Sequence, residues 1–270
     1  MDIDPVRLDA LEMRLWGDMW ASTPPEVASA HGVEQRRFGP VQVTAIADLP
    51  RAGWMNLVLG APAPDAAAEG ALEEAVAWVK SLGVEYYVPV TPGLAGSAAA
   101  EEWLGRNGHE RGYAWMKFVR DASPSELPEP AGVEIAEPAA GEGGDFGAIV
   151  AEGFGLPDWA GPLFAGLPGR PGWHCYVASV EGRPAACAAM LADDGVAEFG
   201  LAATLEPARG RGCQLGLLRR RIADAAAAGC HTLFVETGER VPDRPAGSYR
   251  NILRAGFEEA YLRPNWGPSA

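Results

Sequence analysis

The sequence predicts an α/β protein built from two repeated halves, and three observations support this prediction. An apolar run from Val196 to Thr204 has the length and composition of a buried strand, and the stretch from Leu215 to Ala228 has the apolar periodicity of a helix. A turn rich in glycine and arginine, Arg209 to Gln214, joins these two segments. The same order of helix, glycine and strand occurs a second time, earlier in the chain.

The repeat is clearest after each helical stripe. In the first half a stripe ends at Gly83 and a strand is predicted at residues 85–90; in the second half a stripe ends at Gly229 and a strand is predicted at residues 232–236. Both glycines suit the left-handed position that follows a helix. Duplication explains this order, and chance is the alternative, because helix–glycine–strand units are common in α/β proteins.

The remaining elements are placed by the same patterns. In the second half, strands are predicted at 173–180 and 184–192 and a short helix at 248–255. The first helix of the chain begins after Asp4, whose carboxylate can cap it, with Pro5 in the first turn. Residues 122–132 contain three prolines and are predicted to link domains at 1–121 and 133–270.

The turn between strand and helix has the features of a diphosphate site. Gly210 and Gly212 let the backbone adopt positive φ angles. The N–H groups of the first helical turn have no partner within the helix and can bind an anion. Each bond to a charged oxygen is worth about 1.5–3 kcal/mol. A Walker A loop is disfavoured because Gly216 is followed by two leucines, and the dinucleotide fingerprint lacks its third glycine, since that position is Leu215.

The first half is predicted to lack such a site. Gly212 lies 17 residues before Gly229, and the residue 17 positions before Gly83 is Ala66. Its surroundings contain Pro62 and Pro64, which have no N–H to donate, and no Arg-Gly pair.

The turn resembles motif A of the GNAT superfamily of N-acetyltransferases, whose pattern is Gln/Arg-x-x-Gly-x-Gly/Ala. Arg209 fills its first position and Gly212 its fourth, whereas Gln214 replaces the final small residue. The likeness in element order extends over about residues 130–266. It implies two tandem GNAT-like domains, each a mixed, mostly antiparallel sheet flanked by helices, with a degenerate first domain and a catalytic second one. It also implies transfer of an acetyl group from acetyl-CoA to an amine.

The resemblance assigns the cofactor-binding residues. The strand before the turn would bind the pantetheine arm through its backbone, at Ala202, Ala203 and Thr204. The turn and helix start would bind the pyrophosphate, at Arg209, Gly210, Arg211, Gly212, Cys213, Gln214 and Leu215. Ser248 matches a small residue beside the pyrophosphate, and Asn251 resembles an asparagine that contacts CoA in some members, a helix-surface amide being the alternative.

The resemblance also suggests the proton-transfer groups. Glu198 opens the strand before the turn and Glu236 ends the next strand, with Glu239 just beyond; each is a candidate general base, directly or through water. Solvated strand ends are the alternative. The tyrosine acid of the family corresponds to Ile252, so the expected acid is missing, and Tyr249, one turn earlier, either substitutes or packs.

The acceptor pocket is expected between the first helices of the second domain and the strand ends. Trp159 can stack on a cation and Asp158 can attract it, although a simple aromatic-packed connection is the alternative.

Composition restricts the partners. The formal charge of −14 disfavours nucleic-acid binding and is compatible with a cationic amine, from a small molecule or a protein, although plain solubility also explains it. No segment is long and apolar enough for a membrane span, and the acidic start lacks the basic region of a signal peptide. The four cysteines lack metal spacing and are expected to be buried thiols of a cytoplasmic protein without a metal. The sequence leaves oligomerisation open, and a non-catalytic acyl-CoA sensor or interaction protein is the alternative function.

Overall fold

The structure is a computed structural model that describes residues 4–68, 70–242 and 246–269. The acidic start, residues 1–3, lies outside the described residues. The chain divides into two compact units. The N-terminal unit contains the chain up to Ala21, Pro25–Met116 and the segment from Tyr261 onwards, and the C-terminal unit contains Ser22–Pro24 and Lys117–Ala260.

The first repeat consists of four helices and five strands. In chain order they are α1 (Pro5–Ala21), α2 (Pro25–His31), β1 (Val33–Phe38), β2 (Val41–Ile46), β3 (Leu57–Leu59), α3 (Ala71–Ser81), β4 (Val88–Pro89), α4 (Ser97–Arg106) and β5 (His109–Asp121). The predicted cap of α1 is confirmed, because Asp4 Oδ1 accepts hydrogen bonds from the backbone N–H groups of Val6 and Arg7 at 3.0 and 3.3 Å. Helix α3 packs on β2, and together they bury an apolar core that includes Val43, Leu72 and Val76.

The second repeat has the same order of elements after one additional strand. They are β6 (Val133–Ala136), α5 (Gly144–Gly153), a 3₁₀ turn (Asp158–Ala160), α6 (Gly161–Ala165), β7 (Trp173–Val180), β8 (Arg183–Asp193), β9 (Val196–Thr204), α7 (Cys213–Ala227), β10 (Thr232–Gly238), α8 (Gly247–Arg254) and β11 (Glu258–Pro268). The predicted strands at 173–180 and 196–204 are confirmed to the residue. Gly83 and Gly229 have φ angles of 69° and 80°, as their predicted positions after a helix require.

The two repeats share a parallel connection through a helix. In the second repeat β10 pairs parallel to β9, and in the first repeat a parallel bridge joins Leu57 of β3 to Tyr87, next to β4. The strand predicted at residues 85–90 is only two residues long in the structure. One physical reason is Pro89, which cannot donate a hydrogen bond to a ladder.

The last strands of the repeats are exchanged. In the N-terminal unit β4 pairs with β11, the final strand of the second repeat, with Asn265 opposite Pro89. In the C-terminal unit β10 lies between β9 and β5, the final strand of the first repeat. The units therefore do not coincide with the predicted ranges 1–121 and 133–270. Residues 117–132 belong to the C-terminal unit, and the described residues from Tyr261 onwards belong to the N-terminal unit. The functional division between these ranges stays a prediction.

Candidate functional site

The candidate site begins where β9 and β10 separate. Their parallel ladder runs from Thr232 opposite Val196 to Val235 opposite Phe199, and both strands continue beyond it. On the other side of β9, the ladder to β8 shifts register between Cys187 and Ala189, so that one residue of β8 faces two residues of β9. Such a bulge bends the strand. From Gly200 onwards the backbone of β9 lies outside the ladder to β10, so the two strands are no longer paired there.

Arg221 donates a hydrogen bond at this bulge, and Leu201 lies within it. Leu201 adopts a φ angle of 48°, which L-residues rarely populate. The fully buried Arg221 of α7 donates through Nη1 to the carbonyl oxygen of Ala189 at 3.1 Å, at the register shift, and its guanidinium lies 4.6 Å from the centre of the Phe199 ring. Burial lowers the pKa of Arg221 to about 10, so the side chain stays charged at neutral pH.

The turn before α7 has the geometry expected of an anion cradle. Gly210 and Gly212 have φ angles of 80° and 88°, and Gly212 is the N-cap of the helix. The first bond of the helical ladder runs from the Gly216 N–H to the Gly212 carbonyl at 3.0 Å, so the N–H groups of residues 213–215 precede it. A Cβ atom on Gly210 would meet nothing within 4 Å. The loop is therefore open at Gly210, whereas a Cβ atom on Gly212 would lie 3.0 Å from Pro130 Cβ.

Three predicted cofactor residues form one hydrogen-bonded network beside this turn. Gln214 of α7 donates through Nε2 to Ser248 Oγ at 3.1 Å, and Asn251 of α8 donates through Nδ2 to Gln214 Oε1 at 2.7 Å. All three residues are half-buried. Gln214, which departs from the motif, therefore joins the start of α7 to α8 and fixes both sides of the cradle.

The other residues of the turn differ in exposure. Arg209 and Arg211 are exposed, and Arg211 donates to Glu181 at 3.0 Å. Gly210 is exposed and Leu215 half-buried, whereas Cys213 is buried, and its burial raises the pKa of the thiol. Cys213 is therefore a neutral packing residue, consistent with the prediction of buried thiols, which holds for all four cysteines.

The pantetheine and acceptor candidates lie around the same strand end. Ala202, Ala203 and Thr204 are half-buried on the separated part of β9. Helix α5 approaches here so closely that a Cβ atom on Gly153 would lie 2.4 Å from Ala203 Cβ. The register to β8 puts Ala203 and Glu198 on one face of the sheet, so α5 covers the face that carries Glu198. The 3₁₀ turn after α5 carries Asp158, which is exposed, and Trp159, which is half-buried.

The two glutamate candidates both contact a lysine that was not identified from the sequence. Lys117 of β5 lies with its Nζ 2.8 Å from Glu236 Oε2 and 3.8 Å from Glu198 Oε1. The Lys117 side chain is 2% exposed and that of Glu198 5%, whereas that of Glu236 is 23% exposed. Lys117 is one of only two lysines in the chain, and its position inside an apolar run, between Met116 and Phe118, was the available signal.

The predicted acid candidate, Tyr249, makes a different contact. Its hydroxyl donates to Glu259, its ring packs edge-on against Phe118, and the Arg240 guanidinium lies 4.2 Å from the ring centre. Burial, followed by the hydrogen bond to Glu259, raises the pKa of Tyr249 to about 12. Ile252, at the position of the acid in the family, is buried. The Tyr249 ring thus packs against Phe118, and its hydroxyl is already hydrogen-bonded to Glu259.

The first repeat corrects one sequence assignment. The counterpart of Gly212 is Gly70, not Ala66, because Gly70 is the N-cap of α3 and has a φ angle of 78°. Counting from Gly83 failed because α3 has 11 residues and α7 has 15, about one turn more. The Leu72 N–H is bonded to the Ala66 carbonyl at 3.0 Å, and the first turn of α3 carries Glu73 and Glu74. Acidic side chains at a helix N-terminus oppose a phosphate.

The fold is similar to that of several solved structures. No family model matches the sequence, and no curated protein does. Among solved structures, a GCN5-related N-acetyltransferase from Sphaerobacter thermophilus has a TM-score of 0.59 at 14% identity, covering 86% of this chain and 78% of that one. A GCN5-related N-acetyltransferase from Kribbella flavida has a TM-score of 0.56 at 18% identity, covering 96% and 95%.

A third similar structure is a tandem GNAT protein from the clavulanic acid biosynthesis pathway, described as lacking AcCoA. It has a TM-score of 0.57 at 15% identity and covers 84% of this chain and 77% of that one. The chain has the GNAT fold. Its two repeats form the tandem arrangement that the sequence predicted, and both are mixed α/β structures.

The described residues contain no group of three or more His, Cys, Asp or Glu side chains arranged to hold a metal ion. Within the same residues, none of the helices combines the length and the apolar character that crossing a bilayer requires.

Proposed function

We propose that this GNAT-fold protein is an N-acyltransferase that uses acetyl-CoA and acetylates a primary amine. The observation that carries the proposal is that the β9–β10 ladder ends at Phe199, ahead of the glycine turn before α7. We take the space between the two strands beyond this point as the cleft that receives the coenzyme. A separated pair of parallel strands exposes backbone groups for an extended arm, and the helix start beyond it offers N–H groups to a diphosphate. Two of the similar structures are named GCN5-related N-acetyltransferases and the third a tandem GNAT protein, which supports the same function.

In this proposal the chain mainly binds and orients. The backbone N–H groups of Cys213, Gln214 and Leu215 hold the pyrophosphate, and the Gln214 network keeps them in place. Bound acetyl-CoA supplies the activated acetyl group as a thioester. Backbone N–H groups of β9 near Ala202 face the cleft and stabilise negative charge on a carbonyl oxygen.

The acceptor must lose a proton before it attacks. Glu236 is the best-placed base, because its side chain is partly exposed beyond the end of the β9–β10 ladder while Glu198 is almost fully buried. It takes the proton of the ammonium group directly or through a water molecule. The free amine then attacks the thioester carbonyl, the C–S bond breaks, and CoA leaves as a thiolate that takes up the proton lost by the new amide nitrogen, directly or through water. Holding the amine and the thioester together in the cleft supplies a large part of the remaining rate gain. Acceptors that carry positive charge suit a cleft with Glu236 and Asp158 near it and a chain of formal charge −14.

The test is acetyl-CoA affinity, measured by calorimetry, in three glycine variants. Gly212→Asp places a carboxylate about 5 Å from the diphosphate, which costs about 3 kcal/mol at an effective dielectric constant of about 20 and weakens binding more than 100-fold. Gly212→Asn has nearly the same shape without the charge, so it should bind more tightly than Gly212→Asp.

Gly70→Asp is the matched control, because Gly70 is also an N-cap glycine, with a φ angle of 78° against 88° for Gly212. It imposes a similar backbone strain in the first repeat and should leave the affinity unchanged. The contact of a new Cβ atom with Pro130, at 3.0 Å from position 212, is instead controlled by Gly212→Asn. Equal affinities of Gly212→Asp and the natural protein, with both folded by circular dichroism, would reject the site.

A second candidate function is a non-catalytic acyl-CoA sensor. It is favoured by one observation: the position of the family's acid is a buried isoleucine, Ile252, and the hydroxyl of Tyr249 is bonded to Glu259. Thiol release from acetyl-CoA, measured with a broad panel of amines, separates the two functions. Acetyl-CoA binding without release of thiol on any acceptor favours the sensor.

A further inference from the structure

The first repeat contributes a charged side chain to the candidate site of the second repeat. Lys117 belongs to β5, the last strand of the first repeat, and β5 is hydrogen-bonded to β10 because the last strands are exchanged. Within the C-terminal unit its ammonium group contacts Glu236 at 2.8 Å and Glu198 at 3.8 Å. The sum of these distances, 6.6 Å, is the greatest separation that the two carboxylate oxygens can have.

The cluster of Lys117, Glu198 and Glu236 lies near the end of the β9–β10 ladder. Glu198 lies opposite Phe234 in the last part of the β9–β10 ladder, and Glu236 is two residues beyond Phe234 on the same face. The Lys117 ammonium group lies 5.6 Å from the centre of the Phe234 ring. The cluster therefore sits at the point where the strands separate, with Glu236 as its member nearest the cleft.

Electrostatics gives the lysine a role in proton transfer. Two carboxylates this close disfavour each other's ionised form, and burial disfavours it further. A cation within about 4–6 Å favours the ionised form and offsets both effects. A carboxylate acts as a base only when it is ionised.

We propose that Lys117 is a positioning residue that holds the Glu236 carboxylate through their ion pair where β9 and β10 separate, so that the first repeat is required for the chemistry of the second. This inference rests on the proposed function. Lys117 itself has no contact with the acceptor in this proposal, and it acts through Glu236.

Other titratable groups lie on the elements around the cluster. They are Cys187 on β8, Asp145 and Glu152 on α5, Arg120 and Asp121 farther along β5, Glu239 and Arg240 after β10, Arg221 on α7 and Tyr249 on α8. All of these groups are unchanged in the variants compared below, so their contribution to the pH profile cancels in the comparison.

The first experiment measures thiol release from acetyl-CoA against pH, with benzylamine as the acceptor. Lys117→Met removes the charge and should move the acidic limb of the kcat/KM profile upward by about 1–3 pH units. Lys117→Arg retains the charge and should keep the natural profile, and Lys80→Met, at the exposed second lysine, should also keep it. A loss of rate that is uniform across pH in Lys117→Met, or the same shift in Lys117→Arg, would overturn the proposal.

The second experiment requires neither an acceptor amine nor a variant at Lys117. Labelling with ¹³C-lysine gives two Cε signals, from Lys80 and Lys117, because the chain contains no other lysine. In Glu236→Gln the titration midpoint of the Lys117 signal should fall by about one pH unit or more, while that of Lys80 stays unchanged. An unchanged Lys117 midpoint means that the pair does not exist and overturns the proposal.

The two readouts distinguish this inference from the proposed function. If the natural protein does not bind acetyl-CoA, the proposed function fails, whereas the lysine signals still report on the pair. If acetyl-CoA binds and benzylamine is acetylated with the same pH profile in Lys117→Met, only the role of Lys117 fails.

Discussion

The exchanged strand β11 depends on a buried ion pair whose removal has a calculable cost. In the N-terminal unit Arg263 of β11 donates through two nitrogens to both carboxylate oxygens of Glu12 on α1, with the Nη2–Oε1 distance at 2.6 Å. Arg263 is 1% exposed and Glu12 3%, and the guanidinium lies 5.1 Å from the centre of the Trp115 ring. Neither charge can be rehydrated if its partner is removed.

We expect Arg263→Met to lower the free energy of unfolding by about 3–5 kcal/mol, because it leaves the Glu12 carboxylate buried without its cation. With a slope near 2–3 kcal/mol per molar urea, the midpoint of unfolding should fall by about 1–2 M. Tryptophan fluorescence during urea unfolding measures this.

A double-mutant cycle tests the reasoning. Glu12→Leu combined with Arg263→Met removes both charges, and it should recover most of the loss because no buried charge remains. A cost below about 1 kcal/mol for Arg263→Met, or a double variant as unstable as the sum of the two single variants, would refute the assignment of a buried pair that holds β11.

Two further predictions concern the exchanged strands and Tyr249. A fragment of residues 133–270 lacks β5, the neighbour of β10, and should not fold, as judged by circular dichroism and gel filtration; a folded fragment that binds acetyl-CoA would contradict the exchange. The pKa of Tyr249 is raised to about 12 from an ordinary value near 10 by burial and by the hydrogen bond to Glu259. Because the unfolded chain loses this proton first, the stabilising contribution is complete below pH 10 and is lost as pH rises from 10 to 12. Unfolding measured in this window should therefore show a smaller decline for Tyr249→Phe than for the natural protein, and equal declines would contradict the assignment.

Local patterns predicted much of the second repeat. β7 and β9 are long apolar strands bounded by glycine or polar turns, so their ends follow from the sequence. Gly229 was predictable because only glycine readily takes the left-handed conformation after a helix. The glycine turn before α7 was recognised from its composition, and its φ angles agree with that interpretation.

Non-local features could not be predicted in the same way. Which strand pairs with β10 depends on the whole topology, and β5 and β11 occupy equivalent places in their repeats. Lys117 was therefore not connected with Glu198 and Glu236, although all three residues were visible in the sequence. Gly70 was missed because the count assumed helices of equal length. The hydrogen bond from Tyr249 to Glu259 depends on where β11 pairs in the sheet, and the sequence around Tyr249 does not determine that pairing.

The central claim is that the first turn of α7 holds the pyrophosphate of coenzyme A, and a crystal structure of the protein soaked with coenzyme A tests it most directly. The account predicts phosphate oxygens within hydrogen-bonding distance of the backbone nitrogens of residues 213–215, with the pantetheine arm between β9 and β10. Phosphate density at the start of α3, near Gly70, or an empty turn at Gly212 in a crystal that holds the coenzyme elsewhere, would contradict it.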